Sequence, residues 1–310
     1  MRVLQLTTSR RSFFEEQVDV LRSRGIDCTV LEVDGEYSAD NPRTITDYLR
    51  FYPDVLEHGL DEYDLVHANH GLTVPLALAQ PIRPVVTTFW GSELMSQRGW
   101  QTQLSRLTAR LSDRVILPSE TMAPFLDGSY THIPFPVDTE LFEPIERTAA
   151  KSHVGWDGST ADILFPYDPN RSEKNFDRAR RIVDDIETDA ELRTVTGRPH
   201  SEMPYYLNAS DVLLVTSTRE SGPMVVREAA ACNVPIVSTD VGFVQETLDG
   251  VDQCAVRTSD EQLSDVLESI LADDRRANGR EAIADLHPAE FGRRLETLYS
   301  SALDRPEVPA

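Results

Sequence analysis

The sequence predicts an α/β protein built on parallel sheets in two domains, and three observations carry that expectation. Short apolar runs alternate with amphipathic stretches from the first residues onward. The alternation stops over a polar stretch of little periodicity, 145–158, and resumes at Asp162. At 310 residues the chain is long enough for two domains of ordinary size, each with its own core.

Taken in order, Arg2 to Thr7 reads as a strand, Phe13 to Ser23 as an amphipathic helix stopped by Gly25, and Asp27 to Val33 as the second strand. Glu36 to Arg43 is a polar loop, and Thr44 to His58 a helix. Asp64 to Ala68 is the third strand, Val74 to Ala79 a short helix and Pro84 to Thr88 the fourth strand. A helix over Gln101 to Leu111, a strand from Arg114 to Leu117 and a helix from Ser119 complete the first series. The polar stretch at 145–158 reads as the linker. The second series runs through strand Ile163 to Phe165, helix Phe176 to Ile186, a strand near Leu192 to Thr196 and the stretch Glu202 to Leu207. Strands follow at Val212 to Val215, Pro235 to Ser238 and Ala255-Val256, and helices Ser259 to Leu271 and Pro288 to Leu303 finish the chain. Parallel sheets of this kind place ligands beyond the carboxyl ends of their strands, which directs attention to the loops after Thr7, Ala68 and Thr88.

Composition excludes several classes. A hydrophobic fraction of 40% without a long apolar run predicts a globular chain with no transmembrane helix, and no signal peptide is visible, so a cytoplasmic location is expected. A net charge of -22 argues against nucleic acid and against general binding to anionic membranes. The acidic residues are spread along the chain, and Lys151 and Lys174 are its only lysines, a surface expected of a halophilic protein. A chain that has otherwise shed lysine keeps one for a reason. Cys28, Cys232 and Cys254 show no metal-ligand spacing and read as buried apolar thiols. His67 and His70 lack a convincing third ligand, so polar lining is the better reading and no metal site is expected.

The most informative stretch runs from Thr216 to Cys232. It follows the apolar strand Val212 to Val215, and Gly222-Pro223 supplies a turn and a proline suited to the first helical position. Glu220 lies in the loop and Glu228 more than a turn into the helix. Free amides at a helix start can face phosphates while carboxylates accept hydrogen bonds from hydroxyl groups, a combination that describes a nucleotide-sugar site. Arg171 and Lys174, in the loop after Ile163 to Phe165, add cations near a helix N-terminus, where cations are normally disfavoured. A diphosphate would explain them better than solvent does.

Glu220 and Glu228, separated by seven residues, lie in a fuller context. Asn208-Ala209-Ser210-Asp211 precedes them, Glu228 to Thr239 runs through Ala229-Ala230-Ala231-Cys232, and Asp240-Val241-Gly242 follows. This pattern resembles the second lobe of the retaining family 4 (group 1) glycosyltransferases. The resemblance implies a GT-B type α/β fold of two Rossmann-like doubly wound domains facing a central cleft. It implies an acceptor-side domain over 1–145 and a nucleotide-sugar donor domain over 146–287. The C-terminal helix within 288–310 would pack back on the first domain, and Thr131 to Pro144 is similar to the segment that closes the first lobe.

The resemblance also implies roles. Arg171 and Lys174 would hold the donor's diphosphate, Glu228 the ribose hydroxyls and Glu220 the transferred sugar. Ser221, Gly222, Pro223, Met224 and Val225 would line the donor, and Glu220, Lys174 and Arg171 would be the catalytic group. On the acceptor side, Ser9, Arg10, Trp90, Gly91 and Glu93 are the candidates. Two departures stand out. Ser221 occupies the place after the first glutamate where relatives commonly have glycine, and Trp90 replaces a histidine. Indole offers one donor and a flat face, but no acid or base. The expected activity is metal-independent transfer of a hexosyl-type sugar, with retention, from a nucleotide-diphosphate sugar to a glycan, lipid-linked or protein acceptor. No other cofactor is expected, and peripheral association at the inner face of the membrane is left open. The alternatives are a non-catalytic two-lobed nucleotide-sugar-binding protein and a nucleotide-sugar epimerase of the same fold.

Overall fold

A computed structural model describes residues 1–35, 43–95 and 99–304 of the chain. The polar loop expected over Glu36 to Arg43 lies, apart from Arg43, outside the described residues. The chain divides into two compact units, Met1–Pro136 with Pro288–Ala310, and Val137–His287.

In the first unit the strands are β1 (Arg2–Thr7), β2 (Asp27–Glu32), β3 (Leu65–Asn69), β4 (Val85–Thr88), β5 (Arg114–Leu117) and β6 (Thr131–His132). They form one sheet in the order β2-β1-β3-β4-β5-β6, and every pair is parallel. The central strands are buried on both faces, as near-continuous apolar runs require. The helices are α1 (Ser12–Ser23), α2 (Ile45–His58), α3 (Val74–Ala79) and α4 (Gly99–Leu111). Thr44 and Asp47 close α2 with a capping box. The helix expected from Ser119 is a 3-10 turn over Glu120–Phe125, with Pro124 inside it.

The second unit contains α5 (Arg147–Val154), β7 (Ala161–Phe165), α6 (Phe176–Asp184), β8 (Ala190–Thr194), α7 (Met203–Ala209) and β9 (Val212–Val215). It continues with α8 (Met224–Ala231), β10 (Ile236–Ser238), α9 (Val244–Leu248), β11 (Cys254–Val256), α10 (Asp260–Asp273) and α11 (Gly279–Ala282). Its sheet has the order β11-β10-β9-β7-β8 and is also parallel throughout. Each sheet reverses direction once, between β1 and β3 in the first unit and between β7 and β9 in the second. Ligands of doubly wound sheets bind at the carboxyl ends of the strands flanking that reversal.

Two sequence expectations are corrected here. The stretch expected to be a linker carries α5, which hides from periodicity because Ala150 is its only buried apolar residue. Its hold is ionic instead. Lys151 Nζ lies 2.7 Å from Asp162 Oδ2 and 3.2 Å from Asp211 Oδ2, and Arg147 pairs with Asp211 and Asp274. The segment after Pro136 packs with the second unit. Val137 N donates to Leu286 O at 3.0 Å, Phe142 is buried in that unit's core, and Arg280 donates to Phe142 O and Thr139 O at 2.7 Å each.

The last helix, α12 (Pro288–Leu303), belongs to the first unit. It lies against α1 so closely that a Cβ on Gly292 would meet Val20 Cγ2 at 2.9 Å, and Arg24 pairs with Glu296 across the contact. Tyr299 is fully buried, with its hydroxyl 2.7 Å from His67 Nδ1 and 3.3 Å from Gln5 Nε2. His67 is therefore core and not the polar lining expected of it, and its other nitrogen bonds Thr88 Oγ1 at 2.7 Å. No described helix is long and apolar enough to cross a membrane.

Candidate functional site

The loops after β7 and β9 meet at the reversal point of the second sheet. The first ends in a 3-10 turn, Ser172–Lys174, and Asn175 in the left-handed region (φ 57°) turns the chain into α6. Thr216 Oγ1 donates to the carbonyls of Lys174 (3.1 Å) and Asn175 (3.0 Å), and Thr218 N to Glu173 O (2.9 Å), so the two loops are fastened along their length.

That fastening brings Lys174 and Glu220 into contact. The Lys174 ammonium pairs with Glu220 Oε1 and sits 3.9 Å from the centroid of the Tyr167 ring. Lys174 is 4% exposed, and burial pushes its ammonium below the ordinary lysine value while the Glu220 carboxylate opposes that shift. Ser217 Oγ also donates to Glu220 Oε1, at 2.8 Å. The pair is a desolvated cation next to a carboxylate with one oxygen engaged, a pair that a polyanion and a hydroxyl could each draw upon.

Tyr167 was not foreseen. Its hydroxyl is buried without a hydrogen-bond partner among the described residues, and burial, then Glu220 and Glu228, raise it well above the ordinary tyrosine value. Its place two residues past a strand was the only available signal. Arg171 is not gathered into this cluster. It is half exposed and forks onto its neighbour Glu173, with Nε 2.8 Å and Nη2 2.5 Å from Oε1.

The second glutamate lies on α8, whose residues Val225–Ala231 are all buried. Glu228 Oε1 is 3.1 Å from Nε2 of His200, which stands edge-on to Phe142 at 5.1 Å. His200, in the turn before α7, had no sequence signal, being a lone histidine in a polar stretch. Pro223 caps α8 from outside and is not its first residue. Beside it glycine stands at 222 for a steric reason. A Cβ on Gly222 would fall 2.0 Å from Phe243 Cε1, and one on Gly242 (φ +56°) 2.8 Å from Gly222 Cα. Arg227 closes the other face of Phe243, its guanidinium 3.6 Å from the ring centroid. Glycine is thus demanded at 222, which leaves 221 open to serine. Met224 and Val225 begin the helix beyond.

At the reversal point of the first sheet the loops after β1, β3 and β4 converge. Gly91 adopts φ +104°, which only glycine takes easily, and Glu93 is 1% exposed. From the sequence Glu93 is a candidate for the acceptor side, with a solvated loop carboxylate as the equal alternative. Instead its Oε1 accepts from Gly71 N (2.9 Å) and Trp90 N (2.7 Å), so that it braces the β3 and β4 loops against each other. Trp90 packs edge-on against Phe13 (4.9 Å) and His70 (5.6 Å). Arg10 is spread along the surface toward Glu15 and Glu32, and Ser9 is tied to Thr7 by two hydrogen bonds.

Comparisons with known proteins agree with this geometry. The sequence model of the family described as glycosyl transferases group 1 matches residues 169–285, which include both glutamates and Lys174. The D-inositol 3-phosphate glycosyltransferase 1 of Catenulispora acidiphila is 28% identical over 78% of this chain and 73% of its own length. A D-inositol 3-phosphate glycosyltransferase of Corynebacterium aurimucosum is 30% identical over 43% of this chain and 33% of its own. Among solved structures, the sucrose-phosphate synthase of Thermosynechococcus elongatus superposes with a TM-score of 0.80 at 17% identity, over 97% of this chain and 98% of that one. Anabaena HepE in complex with UDP gives 0.74 at 15% identity, over 97% and 100%. These likenesses establish the GT-B fold, and with the family match over the two glutamates they lead to one conclusion: the chain is a glycosyltransferase whose residues 169–285 resemble the group 1 family.

Proposed function

We propose that this glycosyltransferase takes a sugar from a nucleotide-diphosphate sugar held by the second unit and passes it, with retention, to an acceptor hydroxyl held by the first. The observation that carries the reading is the buried Lys174–Glu220 pair at the carboxyl ends of β7 and β9. It is supported by the neighbours solved with UDP and with UDP-glucose, and by relatives named for a phosphate-bearing polyol. A small, hydroxylated, anionic acceptor is therefore the class we favour.

In this reading the diphosphate draws Lys174 from Glu220. The ammonium then stabilises the charge that develops on the leaving phosphate, in a site where low dielectric magnifies the interaction. Glu220, released, accepts hydrogen bonds from the sugar, and Glu228 accepts them from the ribose. Arg171 exchanges Glu173 for phosphate, a short swing for an exposed side chain. The bond between the anomeric carbon and the phosphate oxygen breaks, that carbon bonds to the acceptor oxygen, and the acceptor proton passes to the diphosphate. No protein base is required.

The test is release of nucleoside diphosphate from a panel of UDP-, GDP- and ADP-sugars, with and without polyol phosphates, by wild type, Lys174→Ala and Glu228→Ala. Turnover of one donor, lost in both variants, is expected. Binding of a nucleotide sugar without turnover would favour a binding protein, and equal turnover in all three proteins would remove the site from the reaction.

A further inference from the structure

His70 stands one residue beyond β3 with φ +96°. The other described non-glycine residues of positive φ (Asn175, Asn233, Gln253 and Asp274) lie between 46° and 59°, inside the small left-handed well that L-residues tolerate. His70 lies outside it, where glycine rests at little cost and a side chain rests under strain. A chain that keeps histidine there forgoes the easier residue, so its ring must matter.

The ring is oriented. Nδ1 accepts from Leu72 N at 3.2 Å, which assigns the proton to Nε2. Nε2 then faces Ser92 Oγ at 3.4 Å and Glu93 Oε2 at 3.5 Å, both longer than a good hydrogen bond. Glu93 is engaged elsewhere, with Oε1 on two backbone amides and Oε2 accepting from Ser92 Oγ at 3.2 Å. The Nε2–H is thus aimed and only loosely held. Burial holds the imidazole below the ordinary histidine value, and of the nearby charges Glu93 opposes that shift while Arg11 and Arg43 reinforce it. Two arginines therefore act on this point. Arg43 is itself fixed by Val33 O (2.9 Å) and Gly35 O (2.8 Å), and its buried Nε has no hydrogen-bond partner among the described residues.

We infer that His70 is a substrate-contacting residue of the first unit. Its Nε2–H, beside the Ser92 hydroxyl, donates to a phosphate oxygen of the acceptor, in the positive field of Arg11 and Arg43. The inference rests on the proposal that the first unit takes the acceptor, and it adds the chemical group that is read and the residue that reads it.

The test follows the imidazole signals of wild type by proton–nitrogen NMR during titration with inorganic phosphate, His70 being assigned by its absence in His70→Gly. A saturable shift at His70 is expected, with none on adding uncharged myo-inositol. Phosphate affinity should fall about tenfold or more in His70→Gly, the size of one hydrogen bond to a charged group. It should recover in part in His70→Gln, which keeps an N–H donor. Glycine suits this backbone, so His70→Gly should unfold at a urea concentration no lower than wild type. No shift at His70, unchanged affinity in His70→Gly, or marked destabilisation of both variants would overturn the inference, the last by making the ring a packing element. UDP binding by wild type and Lys174→Ala in the same samples reports separately on the second unit. Its failure would remove the donor reading without deciding the phosphate result.

Discussion

Lys174 and Glu220 are 46 residues apart, and each derives its character from the other. A buried ammonium without a carboxylate would lose its proton, and a loop carboxylate without the ammonium would stay solvated. Lys174→Ala should lower kcat by roughly 10²–10³-fold, the size of one lost electrostatic contact to a developing charge. A change in KM alone, measured by steady-state kinetics, would instead make Lys174 a binding residue. Gly222 offers a second case. The Cβ of Gly222→Ala would enter the Phe243 ring, which is 2% exposed and capped by Arg227, so overpacking should cost about 1–3 kcal/mol. Urea unfolding of the single variants and of the pair with Phe243→Leu checks this. The double variant should cost less than the sum, and strict additivity would mean that the two positions do not touch. The importance of Lys174 and Glu228 was legible, because scarcity of lysine and spacing of glutamates are properties of the string. His200 and Tyr167 were not, since His200 meets Glu228 from another element and the Tyr167 ring meets Lys174 only because their shared loop folds back on itself.

Among elements, the strands and long helices were read nearly to the residue, because burial on one or both faces imposes a period of 2 or 3.6 on the sequence. The exceptions share a cause. Helix α5 is held by Lys151 on buried Asp162 and by Arg147 on half-buried Asp211, and α9 and α11 have five and four residues, too few for a period to show. Helix α12 was legible as a helix, but how it docks was not. Its Tyr299 hydroxyl meets a histidine whose pKa burial lowers from 6.5 to about 3. Between those values the unfolded chain binds a proton that the folded chain refuses, so stability should fall as pH drops from about 6.5, by up to ~1.4 kcal/mol per pH unit. Comparing urea midpoints of wild type and His67→Gln from pH 7 to 4 isolates that slope, and parallel profiles would refute it. Tyr299→Phe, which removes the partner of His67 Nδ1, should cost about 1–3 kcal/mol at neutral pH.

For the whole molecule the decisive quantity is charge. At -22 the folded chain repels itself, and salt that shortens the screening length from ~10 Å at 0.1 M to ~3 Å at 1 M should raise its urea midpoint. A midpoint that stays flat or falls with sodium chloride would mean that surface ion pairs, which salt weakens, outweigh the repulsion. The buried pairs Lys151–Asp162 and Lys174–Glu220 should respond least. What could be known from the chain of letters was its class, the run of its elements, the family signature in the second unit and the glutamates that carry it. These follow from period, turn chemistry and spacing, which act over a few residues. The three-dimensional fold alone assigned Glu93 to bracing and His67 to the core, paired Glu220 with Lys174 and Glu228 with His200, and gave the steric reason for glycine at 222. Those outcomes depend on which loops the strand order brings together. Contacts of that range leave no periodic trace in a single sequence.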